Sequence, residues 1–358
     1  MGADDSFALI YAHALEVQMK VSRRGFLSGA AAAGLVSGTD TAGTPGAAQT
    51  DIFDTPPTVE HRNGMPVPAF GKTGDNVSIL GIGGYHIGVP EEADGVRLIR
   101  TAIDAGLSFM DNAWEYHDGE SERRMGRALR DGYREKTFLM TKGCARDAKA
   151  AMEQLEDSLR HLQTDVIDLW QFHECNYDND PELIFAADGA IHAAVRAKEQ
   201  GKIRFIGFTG HKSPHIHLKM LAQDFSWDAL QMPLNVCDAH YRSFAREVLP
   251  VALERGIAVI AMKTQGGGAI PQKAPVSALD CLHYAMSLNV PVCLSGMAEL
   301  DIANQNIGFA KNFKPLPVSE RVALLARVKT LAGAGVLEHF KTTQRFDSGY
   351  HQKQHGFQ

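Results

Sequence analysis

The chain has 358 residues, 44% of them hydrophobic and 22% charged, which is enough to bury a large core and too much for a small β-domain. Its formal net charge is -6, and lysines and arginines cluster in nothing larger than short pairs, so nucleic acid is not a predicted partner. The five cysteines are scattered and contain no C-x-x-C pair, which predicts reduced core thiols rather than disulfides or a zinc or iron–sulfur site.

The first 48 residues differ in composition from the rest. Paired arginines, Arg23 and Arg24, precede a weakly apolar stretch at residues 30–36 and a small-residue segment at 38–48. This arrangement resembles a twin-arginine (Tat) export signal, which implies the Tat translocase as a partner, cleavage after Ala48 and a periplasmic or exported location. The apolar stretch is about half of the roughly 20 residues that a membrane span needs, so no stable anchor is predicted. The alternative is an ordinary basic pair before a short alanine helix.

From residue 51 onward, short apolar runs alternate with longer segments of helical periodicity. Such alternation predicts parallel strands joined by right-handed crossovers, and eight units fit a closed (β/α)8 TIM barrel. The predicted strands cover residues 77–83, 108–112, 137–142, 166–173, 203–208, 229–234, 257–262 and 291–294. The predicted helices cover residues 93–105, 121–131, 148–162, 181–200, 244–255, 277–288 and 300–310, with a further one at 314–335. A Rossmann fold is disfavoured because the G-x-G-x-x-G fingerprint before a helix is missing.

The predicted organisation has four parts. Met19 would make a natural start, so residues 1–18 are interpreted as an upstream extension from a wrongly chosen start. Residues around a Gly/Thr turn at 71–74 are predicted to form an N-terminal β-hairpin that closes the bottom of the barrel. The parts are a signal peptide at 1–48, a linker at 49–64, the barrel at 65–335 and a polar tail at 336–358, which is predicted to be loosely ordered from residue 342.

Four polar residues fall at the carboxyl ends of successive predicted strands, where barrel active sites lie. Asp111 ends the second strand with Tyr116 just beyond it, Lys142 ends the third and His173 ends the fourth. We expect the Lys142 ammonium to lower the pKa of Tyr116, which then donates a proton to a developing alkoxide. Asp111 would hold the lysine, and neutral His173 would orient a substrate oxygen.

Further residues near these strand ends are weighed for pocket and metal roles. Trp114 and Tyr85 are predicted to line the substrate pocket, with buried aromatic packing as the alternative for Trp114. His215 and His217 start a predicted helix two residues apart and so point to different faces. No metal site is therefore predicted, and a metal hydrolase remains a weakly supported third hypothesis, which loss of activity on chelation would favour.

The residues around the predicted proton donor resemble the signature of the aldo-keto reductases. The resemblance rests on residues 109–116 (FMDNAWEY), 119–122 (GESE), 126–129 (GRAL), 155–162 (LEDSLRHL) and 201–207 (GKIRFIG), and it extends from about residue 65 to residue 306. It implies a (β/α)8 oxidoreductase that uses NAD(P)H to reduce aldehydes and ketones, or runs the reverse alcohol oxidation. The family's catalytic tetrad falls on Asp111, Tyr116, Lys142 and His173.

The same resemblance implies a nicotinamide cofactor site, with several departures from the family's pattern. Where the family has Ser-Asn, this chain has Thr209-Gly210, and at the seventh strand Met262 or Lys263 replaces the tyrosine that stacks on nicotinamide. The family's cationic adenosine-end residues appear here as Gly296 and Ile302, which leaves NADP in doubt and makes NAD reasonable. The full set of implied cofactor contacts is Thr209, Gly210, Gln231, Met262, Lys263, Gly266, Gly267, Gly296, Gln305 and Asn306.

The leading hypothesis is thus a carbonyl reductase acting on a small-molecule carbonyl or alcohol. The alternative is a redox sensor or interaction subunit that binds the cofactor with little turnover, against which the intact tetrad argues. The sequence identifies neither the substrate nor the direction of the reaction, since specificity lies in loops.

Overall fold

The computed structural model describes residues 59–357; the predicted export signal and most of the predicted linker lie outside these residues. Eight parallel strands close into a barrel in which consecutive strands pair and the eighth returns to the first, as predicted. The strands are Leu80–Ile82, Phe109–Met110, Phe138–Gly143, Ile167–Phe172, Ile203–Thr209, Ala229–Pro233, Ala258–Met262 and Val292–Ser295. Within residues 59–357, no helix combines the length and the apolarity that crossing a bilayer requires.

The helices fill the intervals between the strands and then continue beyond the last strand. They are Gly84–Ile87, Glu92–Asp104, Glu120–Ala128, Ala148–Leu162, Asp180–Ile184, Ala190–Glu199, Pro214–Leu221, Phe244–Glu247, Leu249–Glu254, Ala269–Lys273, Ala278–Met286, Leu300–Lys311, Val318–Ala332, His339–Thr342 and Gly349–Gln354. The helix predicted at 148–162 has the predicted bounds. The one predicted at 181–200 is two helices, with Gly189 as the N-cap of the second.

The barrel bottom is closed by a hairpin and by an inserted phenylalanine. The hairpin pairs Glu60–Arg62 with Met65–Val67 around Asn63 and Gly64, both in the left-handed region that a tight hairpin turn requires. Its predicted position around residues 71–74 is therefore wrong, although the isolated antiparallel bridge between Ala69 and Asn76 does enclose that turn. A fully buried Phe70 follows the hairpin and packs its ring on those of the second and third strands, at centroid distances of 5.6 and 5.0 Å.

The prediction of a loosely ordered tail from residue 342 is wrong, because Gly349–Gln354 is a helix and the side chains of Asp347 and His351 are buried. The start of the tail is docked as well. Phe340 is fully buried, and so is Lys341, whose ammonium lies 2.8 Å from Asp238, 3.0 Å from Glu338 and 2.9 Å from the Tyr241 carbonyl. Burial, partly offset by Lys341, raises the pKa of Glu338 to about 7. A lysine that is paired with two carboxylates can be buried, whereas an unpaired lysine cannot. Composition does not reveal such pairing, because the partners are brought together only by the fold.

Replacing this lysine tests how firmly the tail is docked. Lys341→Met should lower the free energy of unfolding by about 3–5 kcal/mol, because it leaves the carboxylates of Asp238 and Glu338 buried without a cation. Lys353→Met, an exposed lysine of the same tail, is the matched control and should change stability by less than about 0.5 kcal/mol. Urea unfolding followed by circular dichroism measures both, and equal midpoints for the two variants would contradict the docking.

Candidate active site

The four residues predicted at the strand ends lie together at the carboxyl end of the barrel. Lys142 Nζ is 2.5 Å from Asp111 Oδ1, 2.5 Å from the Asn112 carbonyl and 3.3 Å from the Tyr116 hydroxyl, to which it donates. The Lys142 and Asp111 side chains are almost fully buried. The ring of His173 meets that of Tyr116 edge-on, with 5.6 Å between centroids. Parallel strands in register bring these side chains together because their carboxyl ends share one rim.

The expectation of a lowered pKa for Tyr116 is wrong, because effects other than the Lys142 ammonium decide the net direction. Burial raises the pKa of Tyr116 well above its usual value, and the charges of Asp111, Glu115 and Glu174 raise it further. The Lys142 ammonium is already matched by Asp111, so it does not outweigh these effects. Tyr116 therefore carries its proton in the resting site, and Lys142 is placed to stabilise negative charge that develops on the phenol oxygen.

His173 has a partner that the sequence did not indicate. Its Nδ1 lies 3.0 Å from Glu115 Oε1, and burial lowers the pKa of His173, which favours the neutral imidazole. Although burial raises the pKa of Glu115, the hydrogen bond from His173 holds it well below its usual range. Glu115 directly precedes Tyr116 in the sequence. This adjacency is the one sequence signal that could have indicated Glu115 as part of the site.

An open cavity of about 240 Å³ lies beside this group. It is lined by Gly83, Tyr85, His86, Asp111, Tyr116, Gln231, Met262, Lys263, Thr264, Gln265, Gly267, Gly268, Leu294, Ser295 and Gly296. Tyr85 thus lines the cavity as predicted. Trp114 is not among the lining residues: its indole nitrogen donates to Asp157 at 3.2 Å and its ring packs against Tyr350, which turns it toward a surrounding helix and the tail. The pocket role of Trp114 stays a prediction, and these contacts favour its alternative, aromatic packing.

The predicted cofactor residues divide into those that reach the cavity and those behind it. Gln231, Met262, Lys263, Gly267 and Gly296 line it. The remaining five do not line it: Thr209, Gly210 and Gly266 are buried, Asn306 is buried and donates to Ser295, and Gln305 is exposed. The set of implied cofactor contacts does not include Thr264, Gln265, Gly268, His86 or Ser295, all of which line the cavity.

Two features of the lining fit a nicotinamide dinucleotide. Gln231 is buried, and within the part of the chain that the structure describes its Oε1 has no hydrogen-bond partner; its amide nitrogen contacts Met262 Sδ at 3.4 Å. An unpaired buried acceptor fits the amide donor of a nicotinamide carboxamide. Gly267 and Gly268 have positive φ of 68° and 90°, and a side chain added at Gly267 would meet nothing within 4 Å. This bare stretch of backbone lets a large ligand approach closely.

The structural class is an eight-stranded α/β barrel whose polar cavity opens at the carboxyl ends of the strands. Residues 79–278, more than half of the chain, match the model of the Aldo/keto reductase family. The chain belongs to the aldo/keto reductase family.

Relatives and solved structures agree with this assignment. The chain is 29% identical over 216 residues to the aldo-keto reductase YhdN of Bacillus subtilis, covering 55% of this chain and 61% of that protein. It is 26% identical over 222 residues to the L-galactose dehydrogenase of Arabidopsis thaliana, covering 58% of this chain and 67% of that protein. The matched part thus spans only about three fifths of the first of these relatives.

Two solved structures share the fold. The holo form of aldo-keto reductase AKR11C1 from Bacillus halodurans superposes with a TM-score of 0.62 at 23% identity, over 77% of this chain and 99% of that one. An aldo/keto reductase from Klebsiella pneumoniae, solved in complex with NADP and acetate, gives 0.60 at 22% identity, over 74% of this chain and 95% of that one. At these identities, the likeness establishes the fold.

Gly84 shapes the site and offers a test of it. Its backbone N–H donates to Asp111 Oδ2 at 3.1 Å, and a methyl group added there would overlap the Asp111 carbonyl oxygen. Gly84→Ala should therefore lower the free energy of unfolding by about 1–3 kcal/mol as the Asp111 loop is displaced. Gly308→Ala, where an added methyl meets nothing in an outer helix, should be neutral or stabilising by about 0.5–1 kcal/mol. Thermal unfolding that ranks the two variants the other way would contradict this packing.

Proposed function

We propose that this protein is a carbonyl reductase that transfers hydride from a reduced nicotinamide cofactor to an aldehyde or ketone, or runs the reverse oxidation. The observation that carries the proposal is the Tyr116 hydroxyl at 3.3 Å from a buried Lys142 whose charge is held by Asp111, beside a cavity with an unpaired acceptor on Gln231. Membership of the aldo/keto reductase family and the NADP bound in the Klebsiella pneumoniae structure support it.

The cofactor would be held by Gln231, Met262, Gly267, Gly268 and Gly296. The reduced cofactor, NADH or NADPH, would supply the hydride for carbonyl reduction, and the oxidised form would accept it in the reverse reaction. Among the described residues that line the cavity, Lys263 is the only lysine or arginine, and it sits under Phe346 with its Nζ 4.5 Å from the ring centroid. At the positions that the resemblance assigns to the adenosine end, Gly296 and Ile302 replace the family's cations, so a 2′-phosphate would lose these partners, which favours NAD.

Tyr116 would act as the general acid. Its phenol keeps its proton until negative charge develops on a substrate oxygen. The proton then moves to that oxygen, because an alkoxide is a stronger base than a phenolate. As the proton leaves, Lys142 stabilises the phenolate from 3.3 Å at no reorganisation cost, because Asp111 and the Asn112 carbonyl already fix the ammonium. His173 would orient the substrate oxygen from the adjacent strand end.

Removing one hydroxyl tests this assignment. Tyr116→Phe should lower kcat in a survey of aldehydes and ketones by about 10²–10⁴-fold, because the general acid is lost. The dissociation constants for NADH and NADPH, measured by fluorescence titration, should stay nearly unchanged. Tyr133→Phe, far from the cavity and bonded to Asp104, is the control and should retain full turnover.

The same experiment separates the two functional hypotheses. Retained turnover in Tyr116→Phe would reject Tyr116 as the proton donor. A wild-type protein that binds the cofactor yet reduces or oxidises nothing in the survey would instead favour the redox-sensor or interaction-subunit alternative.

We also propose export through the Tat translocase, supported by Arg23, Arg24 and the apolar stretch after them. Replacing both arginines by lysine keeps the charge but removes the pair, so the full chain should stay in the cytoplasmic fraction while the unaltered chain reaches the periplasmic one. Immunoblots of fractionated cells measure the distribution. Equal periplasmic amounts of both forms would refute the signal.

A further inference from the structure

We propose that Glu115, Cys144, His173 and His351 bind one Zn²⁺ ion in the wall of the candidate active site. Each offers one ligand atom, and the four atoms lie within 4.8 Å of one another. The residues come from the loop after the second strand, from just beyond the third strand, from the end of the fourth strand and from the tail helix Gly349–Gln354. Nothing in their spacing along the chain resembles a metal-binding motif, which is why sequence analysis predicted no metal.

The distances within the cluster are close to those of a tetrahedral site. His173 Nδ1 lies 3.0 Å from Glu115 Oε1 and 3.8 Å from Cys144 Sγ. Zinc bonds of about 2.0–2.3 Å at tetrahedral angles place neighbouring ligand atoms roughly 3.3–3.6 Å apart. Shifts of about half an ångström would therefore turn these two contacts into edges of a coordination tetrahedron.

An unpartnered buried histidine provides an independent indication of a ligand. His351 is fully buried, and neither of its ring nitrogens has a hydrogen-bond partner among residues 59–357. Its nearest carboxylate oxygen, on Glu174, is 3.8 Å from Nε2. Leaving a buried polar group unsatisfied costs about 1–3 kcal/mol, so such groups in native proteins usually have a partner. A metal ion bonded to one ring nitrogen would supply that partner.

The charges around the cluster also suit a dication. Glu115 contributes a carboxylate, and Cys144 would contribute a thiolate on losing its proton to solvent as the metal binds. One carboxylate and one thiolate neutralise a divalent ion. The nearby cations already have counter-ions: Lys142 is paired with Asp111, and Arg146 lies 2.7 Å from Asp180.

The donor set selects the kind of metal. One thiolate, two imidazoles and one carboxylate suit Zn²⁺ and similar transition metals, whereas Mg²⁺ and Ca²⁺ prefer sites made of oxygen ligands. A second group of possible metal ligands, Glu174, His211 and Asp347, already has protein partners, since Asp347 is bonded to His211 and Lys212. It carries no metal proposal.

Metal binding would determine which ring nitrogen of His173 carries the proton. The effect of this on catalysis rests on the proposed function. With Nδ1 bonded to the ion, the neutral imidazole must carry its proton on Nε2. Without the ion, Nδ1 faces the acceptor oxygen of Glu115 and takes the proton itself. The ion would thereby convert Nε2 from an acceptor into a donor that can hold a substrate carbonyl oxygen.

Metal binding can be measured without any turnover. The full chain, purified without a histidine tag and stripped of metal, is loaded with Zn²⁺ or Co²⁺ and desalted, and bound metal is quantified by mass spectrometry. We expect about one equivalent in the wild type and a thiolate-to-Co²⁺ charge-transfer band in the near ultraviolet. Cys144→Ser should lose that band, and both Cys144→Ser and His351→Gln should bind more than about tenfold less tightly.

A second buried cysteine supplies the matched control. Cys293, on the eighth strand and outside the cluster, is equally buried, so Cys293→Ser should bind metal as the wild type does. The proposal is overturned if the folded wild type retains no metal, or if Cys144→Ser and His351→Gln bind it as tightly as Cys293→Ser. Failure of the proposed carbonyl reductase activity would leave these readouts unaffected.

The consequence for His173 has its own readout. Restoring Zn²⁺ to the metal-free enzyme should raise kcat/KM for carbonyl reduction and leave the cofactor dissociation constant unchanged. One bound equivalent with an unchanged kcat/KM would overturn the link to His173.

Discussion

The buried ion pair between Lys142 and Asp111 is the interaction on which the candidate active site depends. A lysine ammonium with no counter-ion at this depth would cost several kcal/mol, and removing one partner of such a pair costs about 3–5 kcal/mol. Asp111 and the Asn112 carbonyl hold Lys142 Nζ at 2.5 Å each, and the rigid strands on either side fix their spacing. The ammonium that this pair fixes donates to the Tyr116 hydroxyl at 3.3 Å, so Lys142 contributes a fixed donor as well as a charge.

This arrangement changes what the lysine contributes chemically. A free ammonium beside a phenol would make the phenol more acidic, but here burial and the carboxylates of Asp111, Glu115 and Glu174 raise the pKa of Tyr116 instead. Tyr116 is therefore protonated before the reaction and can donate this proton to a developing alkoxide. Lys142 then matters in the transition state, when negative charge on the phenol oxygen appears at a fixed distance from a preorganised cation.

Much of the fold and the core of the site could be predicted from the sequence, and the reasons are local. Apolar runs of strand length alternate with helical periods, and glycines such as Gly106 and Gly201 mark the ends of helices in the left-handed region. Because strand ends of a parallel barrel share one rim, Asp111, Lys142 and His173 could be placed together before any coordinates. The turn of the observed hairpin, Asn63-Gly64, lies within the predicted linker at 49–64, so the prediction places the hairpin too far along the chain.

The remaining features depend on contacts between segments that are distant in sequence. The pKa direction of Tyr116 needs the positions of Glu115 and Glu174, and the burial of Lys341 needs Asp238, about one hundred residues away. Neither hydrophobic periodicity nor a sequence motif predicts these long-range contacts.

The tail after the last strand adds side chains to the rim of the barrel. Asp347 of the tail accepts hydrogen bonds from His211 at 3.0 Å and Tyr177 at 3.1 Å, and Phe346 covers Lys263 at the cavity. The strands supply a rigid rim that many barrels share, whereas the segment after the last strand brings its own side chains to that rim. Because His351 arrives on this segment, the donor set around His173 is a property of barrel and tail together. A barrel with the same strand-end residues and a different tail would keep the Tyr116 chemistry and lose the fourth metal ligand.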